Sequence, residues 1–211
     1  MTVKCIAQGG LERRNMGHEA QLVEGLRKGD PDAYKAMVER YIPQIYRLAY
    51  GITQDLMEAQ DVTQDVLLTV FRRVEDFQEK STIHTWIYRI TVNASLDRVR
   101  ARQRKETLPI EDFLPTFTPE GRHAQEIVDW SEAPLDQLLD EEARRKIREA
   151  IDALPEETRV VLVMKDIEGL SLKEIGEILE LSLPAIKSRL HRARLVLRGV
   201  LASYFQEKVR V

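Results

Sequence analysis

Between Lys187 and Arg194 the chain reads Lys-Ser-Arg-Leu-His-Arg-Ala-Arg, which puts four cations, a hydroxyl and an imidazole into eight residues. On a helix, Lys187, Ser188, Arg189, His191, Arg192 and Arg194 offer hydrogen-bond donors of the kind that phosphates and base edges accept. No acid occurs from Leu183 to Gln206. Upstream, Ser171 stands three residues before Glu174, the spacing of a capping box that fixes a helix start. Ser182 caps a second helix with Pro184 in its first turn, and Ile175, Ile178, Leu179, Leu181, Ile186 and Leu190 supply an apolar seam between the two. This is the pattern of a helix-turn-helix. The second helix suits a major groove, with its N-terminal side chains at base edges and its remaining cations on phosphates. Each phosphate neutralised steepens the salt dependence of binding by roughly 0.9 in log–log slope. A merely solvated basic helix would not need caps, turn and charge to coincide.

A second cluster, Arg98-Val-Arg-Ala-Arg-Gln-Arg-Lys105, carries five cations in eight residues and follows Trp86, Tyr88, Arg89 and Asn93. A cationic helix end is by itself an ordinary complement to the helix dipole. Aromatic rings interleaved with cations favour a further reading, single-stranded DNA, whose unpaired bases stack on rings while its backbone follows the charge.

Other chemistry finds no home. The single Cys5 has no internal disulfide partner, and His18, His84, His123 and His191 are scattered without a second ligand at metal spacing. His18-Glu19 begins an HExxH pattern, but Leu22 stands where its second histidine belongs. No phosphate-binding glycine loop and no nucleophile elbow is present, and no strand-like alternation would build a nucleotide-binding sheet. The expectation is a protein that is not an enzyme, with no catalytic residue, metal, cofactor or small-molecule substrate. With neither an 18-residue apolar run nor a leader pattern, we expect a cytoplasmic chain that does not insert into a membrane.

The net charge of −3 conceals a strong asymmetry: from Glu106 to Glu142 eleven acids face one arginine, so this stretch carries −10 and the remainder +7. Four of the eight prolines, Pro109, Pro115, Pro119 and Pro134, fall in the same stretch and disfavour helix there. The fold class expected is therefore all-α: an N-terminal helical bundle at 17–105 and a C-terminal helix-turn-helix domain at 140–205, joined by an acidic linker at 106–139. Residues 1–16 read as a disordered extension, with Met16 an alternative start, and 206–211 as a tail.

Within the bundle, Gly29-Asp30-Pro31 closes one helix and opens the next, with Asp30 as N-cap. The apolar stripe from Tyr34 to Ile52 marks a second helix, kinked at Pro43. A third helix buries Ala59, Val62, Val66, Val70, Val74 and Phe77 and leaves Asp61, Gln64, Asp65 and Thr69 outside. A fourth, from about Ile83 to Lys105, buries Ile83, Ile87, Ile90 and Ala94. Further helices are expected near 141–153, 157–168, 172–179 and 183–203.

Two stretches resemble the extracytoplasmic-function group of bacterial sigma factors: Glu58-Ala-Gln-Asp-Val-Thr-Gln-Asp-Val66 through Phe77 with Thr85-Trp-Ile-Tyr-Arg-Ile90 and Asn93, and then Ala153-Leu-Pro155, Glu168-Gly-Leu-Ser171 and Lys187 to Arg194. The resemblance covers about 20–105 and 140–203. It implies a subunit that binds core RNA polymerase, through its beta-prime and beta subunits, and directs it to promoter DNA. Asp61, Gln64 and Asp65 would dock on the beta-prime coiled coil. The loop 78–85, with Ser81 and His84, and the helix bearing Trp86, Arg89, Asn93, Arg98 and Arg100 would open the minus-ten element and hold a flipped base. Pro184, Lys187, Ser188, Arg189, His191, Arg192 and Arg194 would read the minus-thirty-five element as duplex. The linker would follow the template and transcript path, and an anti-sigma factor is a commonly expected partner.

The chain departs from that family's pattern at Glu79 and Glu180, where glycine is usual, at Ile83-His84, which replaces a commoner aromatic pair, and at Leu183-Pro184-Ala185. A helix-turn-helix regulator acting on duplex DNA without polymerase would leave the Glu58–Phe77 face idle. A helical adaptor without a DNA role would leave the basic helix unexplained.

Overall fold

The structure, a computed structural model, describes residues 19–103 and 141–209; the extension at 1–16 and the linker at 106–139 lie outside the described residues. No strand occurs among the described residues, and the fold is all-α. The chain forms two compact units, one holding the residues up to Tyr50 with Asp55–Asp97, the other Gly51–Gln54 with the residues from Arg98 onward.

In the first unit α1 is described at 19–27, followed by α2 (Pro31–Thr53), α3 (Leu56–Arg73) and α4 (Ile83–Gln103). The turn between α1 and α2 bends through Gly29 at φ +70°, and the Asp32 amide donates to the Asp30 carboxylate at 3.0 Å, so Asp30 caps α2. Gly25 lets the two helices approach closely: a Cβ on it would come within 2.6 Å of the Ala33 Cβ. α2 runs through Pro43 as one helix. Asp55 caps α3 by accepting from the amides of Met57 and Glu58.

All six apolar residues expected inside from α3 and its exit are buried, and they pack with Met37, Tyr41, Ile45, Ile83 and Ile87 into one core. α4 differs from expectation. Ile83 and Ile87 are buried, but Ile90 and Ala94 are only half-buried, and Tyr88, Thr91, Val92, Ser95 and Val99 take the interior instead. Two buried hydroxyls satisfy themselves on their own helix, Thr91 donating to the Ile87 carbonyl at 2.9 Å and Ser95 to the Thr91 carbonyl at 2.7 Å.

The second unit contains α5 (Glu141–Asp152), α6 (Glu156–Leu162), a π turn at Val163–Ile167, α7 (Leu172–Leu179) and α8 (Leu183–Val209). α8 continues through Val209, beyond the helix end expected near 203 and into the residues assigned to a tail. At the centre lies Arg159, fully buried. Its guanidinium donates to the carbonyls of Ile52 (2.9 Å), Leu154 (3.1 Å) and Asp152, and pairs with the Asp152 carboxylate at 3.1 Å. Burial pulls its pKa below the ordinary value, and Asp152 opposes that shift.

Candidate nucleic-acid interface

In the second unit, α7 and α8 form the helix-turn-helix. The Glu174 amide donates to the Ser171 hydroxyl at 3.2 Å, and the Ser171 amide donates to the Glu174 carboxylate at 2.8 Å, which completes the capping box. Glu180 ends α7 in the left-handed region at φ 56°. That conformation favours glycine, so Glu180 carries local strain there. The Leu181 amide returns to the Gly176 carbonyl at 3.2 Å, and a Cβ on Gly176 would come within 3.1 Å of the Leu181 carbonyl oxygen. Ile175, Ile178, Ile186 and Leu190 are buried in the seam, while Leu179 and Leu181 are half-buried at its rim. The Ser182 hydroxyl accepts from the Ala185 amide at 3.4 Å, a weak cap.

The cations of α8 divide into two sets. Pro184, Lys187, Ser188, His191 and Arg192 are exposed along the start of the helix. Arg189 is half-buried and pairs with Glu157 of α6 at 2.5 Å. Arg194 makes a two-point bond to Asp166 of the π turn, Nη2 to Oδ1 at 2.6 Å and Nε to Oδ2 at 3.0 Å, and this hydrogen bonding raises its pKa. The two pairing acids, Glu157 and Asp166, lie outside the stretch that sequence patterning marked as functional. The π turn that carries Asp166 has no signature in composition or periodicity.

In the first unit, the segment between α3 and α4 and the start of α4 carry Phe77, His84, Trp86 and Tyr88, which meet in ring contacts. Phe77 and Trp86 meet at 5.1 Å between ring centroids, His84 and Tyr88 at 4.1 Å, and Tyr41 and His84 at 6.3 Å. Tyr41 is buried, its hydroxyl has no partner among the described residues, and burial pushes its pKa up to about 12. The Thr82 hydroxyl accepts from the Thr85 amide at 3.1 Å and thereby caps α4. Ser81, His84, Trp86 and Arg89 are half-buried, and Asn93 is exposed. Arg98 and Arg100 belong to the second unit, where Arg100 pairs with Glu156 at 2.7 Å. The structure therefore gathers Ser81, His84, Trp86, Arg89 and Asn93 in one unit and places the two arginines in the other.

Asp61, Gln64 and Asp65 are exposed on α3, as their positions off the buried line require. They do not form a purely polar face. Met57 and Leu68 stand four residues before Asp61 and after Gln64, and both are exposed, at 68% and 52%. Phe71 is exposed as well and stacks on Tyr34 at 3.6 Å. Exposed apolar side chains therefore lie beside the carboxylates on α3.

Among the described residues there is no grouping of three or more His, Cys, Asp or Glu side chains that would hold a metal, and no helix long and apolar enough to cross a membrane. Comparison with known proteins places both units. Residues 37–105 match the family model for Sigma-70 region 2, and residues 144–197 match that for Sigma-70, region 4. Over 178 residues the chain is 33% identical to the ECF RNA polymerase sigma factor SigW of Bacillus subtilis, covering 83% of this chain and 92% of that one. It is 32% identical to the RNA polymerase sigma-H factor of Pseudomonas aeruginosa, at 83% and 90% coverage, and 30% identical to the ECF RNA polymerase sigma-E factor of Escherichia coli K12, at 82% and 88%. Two solved structures share the fold. CnrH in complex with the cytosolic domain of CnrY superposes with a TM-score of 0.61 at 21% identity, covering 88% of this chain and 97% of that one. The sigma factor RpoE in complex with the anti-sigma factor NepR from Bartonella quintana gives 0.56 at 21%, covering 80% and 96%.

Proposed function

The chain belongs to the extracytoplasmic-function group of RNA polymerase sigma factors, and from that premise we propose a role for each of its exposed faces. The α3 face, with Asp61, Gln64 and Asp65 beside Met57 and Leu68, docks on core polymerase. The 78–82 segment with Ser81, and α4 with His84, Trp86, Arg89 and Asn93, take the unpaired strand of the minus-ten element, with Arg98 and Arg100 following its backbone. The exposed start of α8 reads the minus-thirty-five element as duplex.

In this reading 17–105 is the domain for polymerase and the minus-ten element, 140–205 the domain for the upstream element, and the acidic 106–139 stretch runs along the template path, where its charge stands in for nucleic acid. The protein works in the cytoplasm beside the polymerase, which supplies all the chemistry, and it needs no cofactor. The observation that carries the reading is the coexistence of two unlike surfaces in one chain: an apolar and acidic strip on α3, and a basic helix on α8 free of acids from Leu183 to Gln206. A duplex-binding regulator would use the second and leave the first without a purpose. An anti-sigma factor is a fitting further partner, since one solved relative was captured with one.

The test separates the two faces. Asp61→Ala with Asp65→Ala is expected to weaken binding to core polymerase about tenfold or more, in line with the loss of paired interfacial charges. Binding of the same variant to upstream-element duplex should stay at the wild-type level. Unchanged polymerase affinity would remove α3 as the docking face.

A further inference from the structure

In the first unit an ionic contact joins residues about fifty positions apart and is used by none of these roles. Arg27, the last residue of α1, extends its guanidinium to the segment that leaves α3, fifty residues later in the chain. Nη1 donates to the Glu79 carboxylate at 2.7 Å, and Nη2 donates to the Phe77 carbonyl at 2.5 Å. Its base is fixed. Gly25 seats α1 against Ala33, Leu26 is buried in the core, and the Asp30 amide returns to the Gly25 carbonyl at 3.0 Å.

The far end of the contact is equally particular. Glu79 has φ 55°, a left-handed conformation that glycine would adopt without strain, yet this chain puts there the carboxylate that Arg27 grips. Phe77, whose carbonyl takes the other half of the guanidinium, is buried and packs its ring on Trp86. The segment is therefore tied at its start by Arg27 and at its end by the Thr82 cap on α4. Only Gln78, Lys80 and Ser81 stand between these anchors without a hand in either.

We propose that Arg27 is a positioning residue for the 78–82 segment: by bridging Phe77 and Glu79 it holds that segment, and Trp86 through Phe77, in the shape that receives an unpaired base. This rests on the assignment of the segment to the minus-ten strand. A preformed receptor loses less conformational entropy on binding, so the clamp contributes to capture of the base without touching it. The pair is partly exposed, with side-chain exposures of 35% for Arg27 and 56% for Glu79, so its contribution is bounded by solvent screening.

The experiment uses the full chain bound to core polymerase and two DNA probes: a fork whose minus-ten non-template strand is unpaired, and a duplex carrying the upstream element alone. Arg27→Ala is expected to lower affinity for the fork by about three- to tenfold, with affinity for the duplex, affinity for core polymerase and the melting temperature near wild type. Arg27→Lys, which retains one of the two bonds, should recover part of the loss. Glu79→Gln reports on the same clamp if the alanine variant folds poorly. Fork affinity equal to wild type in both Arg27→Ala and Glu79→Gln would overturn the proposal, as would a parallel loss on fork, duplex and polymerase, which would make Arg27 a general fold contact. A wild-type protein with no preference for the unpaired strand would instead overturn the minus-ten assignment on which the clamp depends.

Discussion

On α8 the outward side chains are cations in two states, with Lys187 and Arg192 exposed to solvent and Arg189 and Arg194 held by Glu157 and Asp166. On the start of α4 the corresponding side chains are rings, Trp86 against Phe77 and His84 against Tyr88, with Asn93 the exposed polar group among them. A duplex presents a fixed lattice of phosphates and base edges, so its reader gains from cations presented at set positions. An unpaired strand presents flat bases, and its reader gains from rings already ordered by their neighbours. In the proposed reading the duplex meets the exposed Lys187 and Arg192 while carboxylates engage Arg189 and Arg194, and the unpaired strand meets rings ordered by aromatic contacts.

The contrast can be broken most severely at Arg159. Replacing it with Ala strands the buried carbonyls of Ile52 and Leu154, frees the part-buried carbonyl of Asp152, and should cost about 3 kcal/mol of stability in denaturant unfolding. A loss within a few tenths of a kcal/mol would mean that the buried guanidinium is not what holds α6 in place. Next in size is Trp86→Ala, expected to weaken holoenzyme binding to an unpaired minus-ten strand by about 1–3 kcal/mol. Upstream duplex binding should not respond, and equal losses on both probes would erase the distinction between the two faces.

Two smaller changes sharpen it. Asp166→Ala releases Arg194 from its carboxylate, so the slope of duplex affinity against salt should steepen by up to about 0.9 as one more cation becomes available for phosphate. An unchanged slope would show that Arg194 already reaches DNA, or never does. Glu180→Gly relieves the left-handed residue between α7 and α8 and should raise stability by about 0.5–1 kcal/mol in thermal or denaturant unfolding, with duplex affinity unaltered. A destabilised variant would indicate that the Glu180 side chain contributes more than its backbone costs.

Where the core is apolar and regular, the sequence was readable. The α3 line from Ala59 to Phe77 is buried as its spacing demands, and the Ser171–Glu174 box closes in both directions. α4 is legible only in part: Ile83 and Ile87 are buried as their spacing requires, but Thr91 and Ser95 also enter the interior with hydroxyls bonded to their own backbone, so polarity does not mark the outer face. Glu79 and Glu180 stood out in the sequence as acids where glycine is usual, and the backbone supplies the reason, since both lie at positive φ. The partners of the candidate DNA-binding cations are hidden in the sequence. Glu157 and Asp166 meet Arg189 and Arg194 only through tertiary packing, and the Arg27 contact spans fifty residues. Arg159 stands between Thr158 and the apolar run that starts at Val160, and nothing in that pattern marks a charged side chain as interior.

In the proposed reading one chain docks on polymerase with its first unit and reads promoter DNA with both. The most direct test is to combine the full chain with core RNA polymerase and a randomised promoter library and to sequence the run-off transcripts. Transcripts are expected to start a fixed distance downstream of a shared two-part motif and to disappear when either the chain or the polymerase is left out. DNA binding by the chain with no chain-dependent initiation would contradict it.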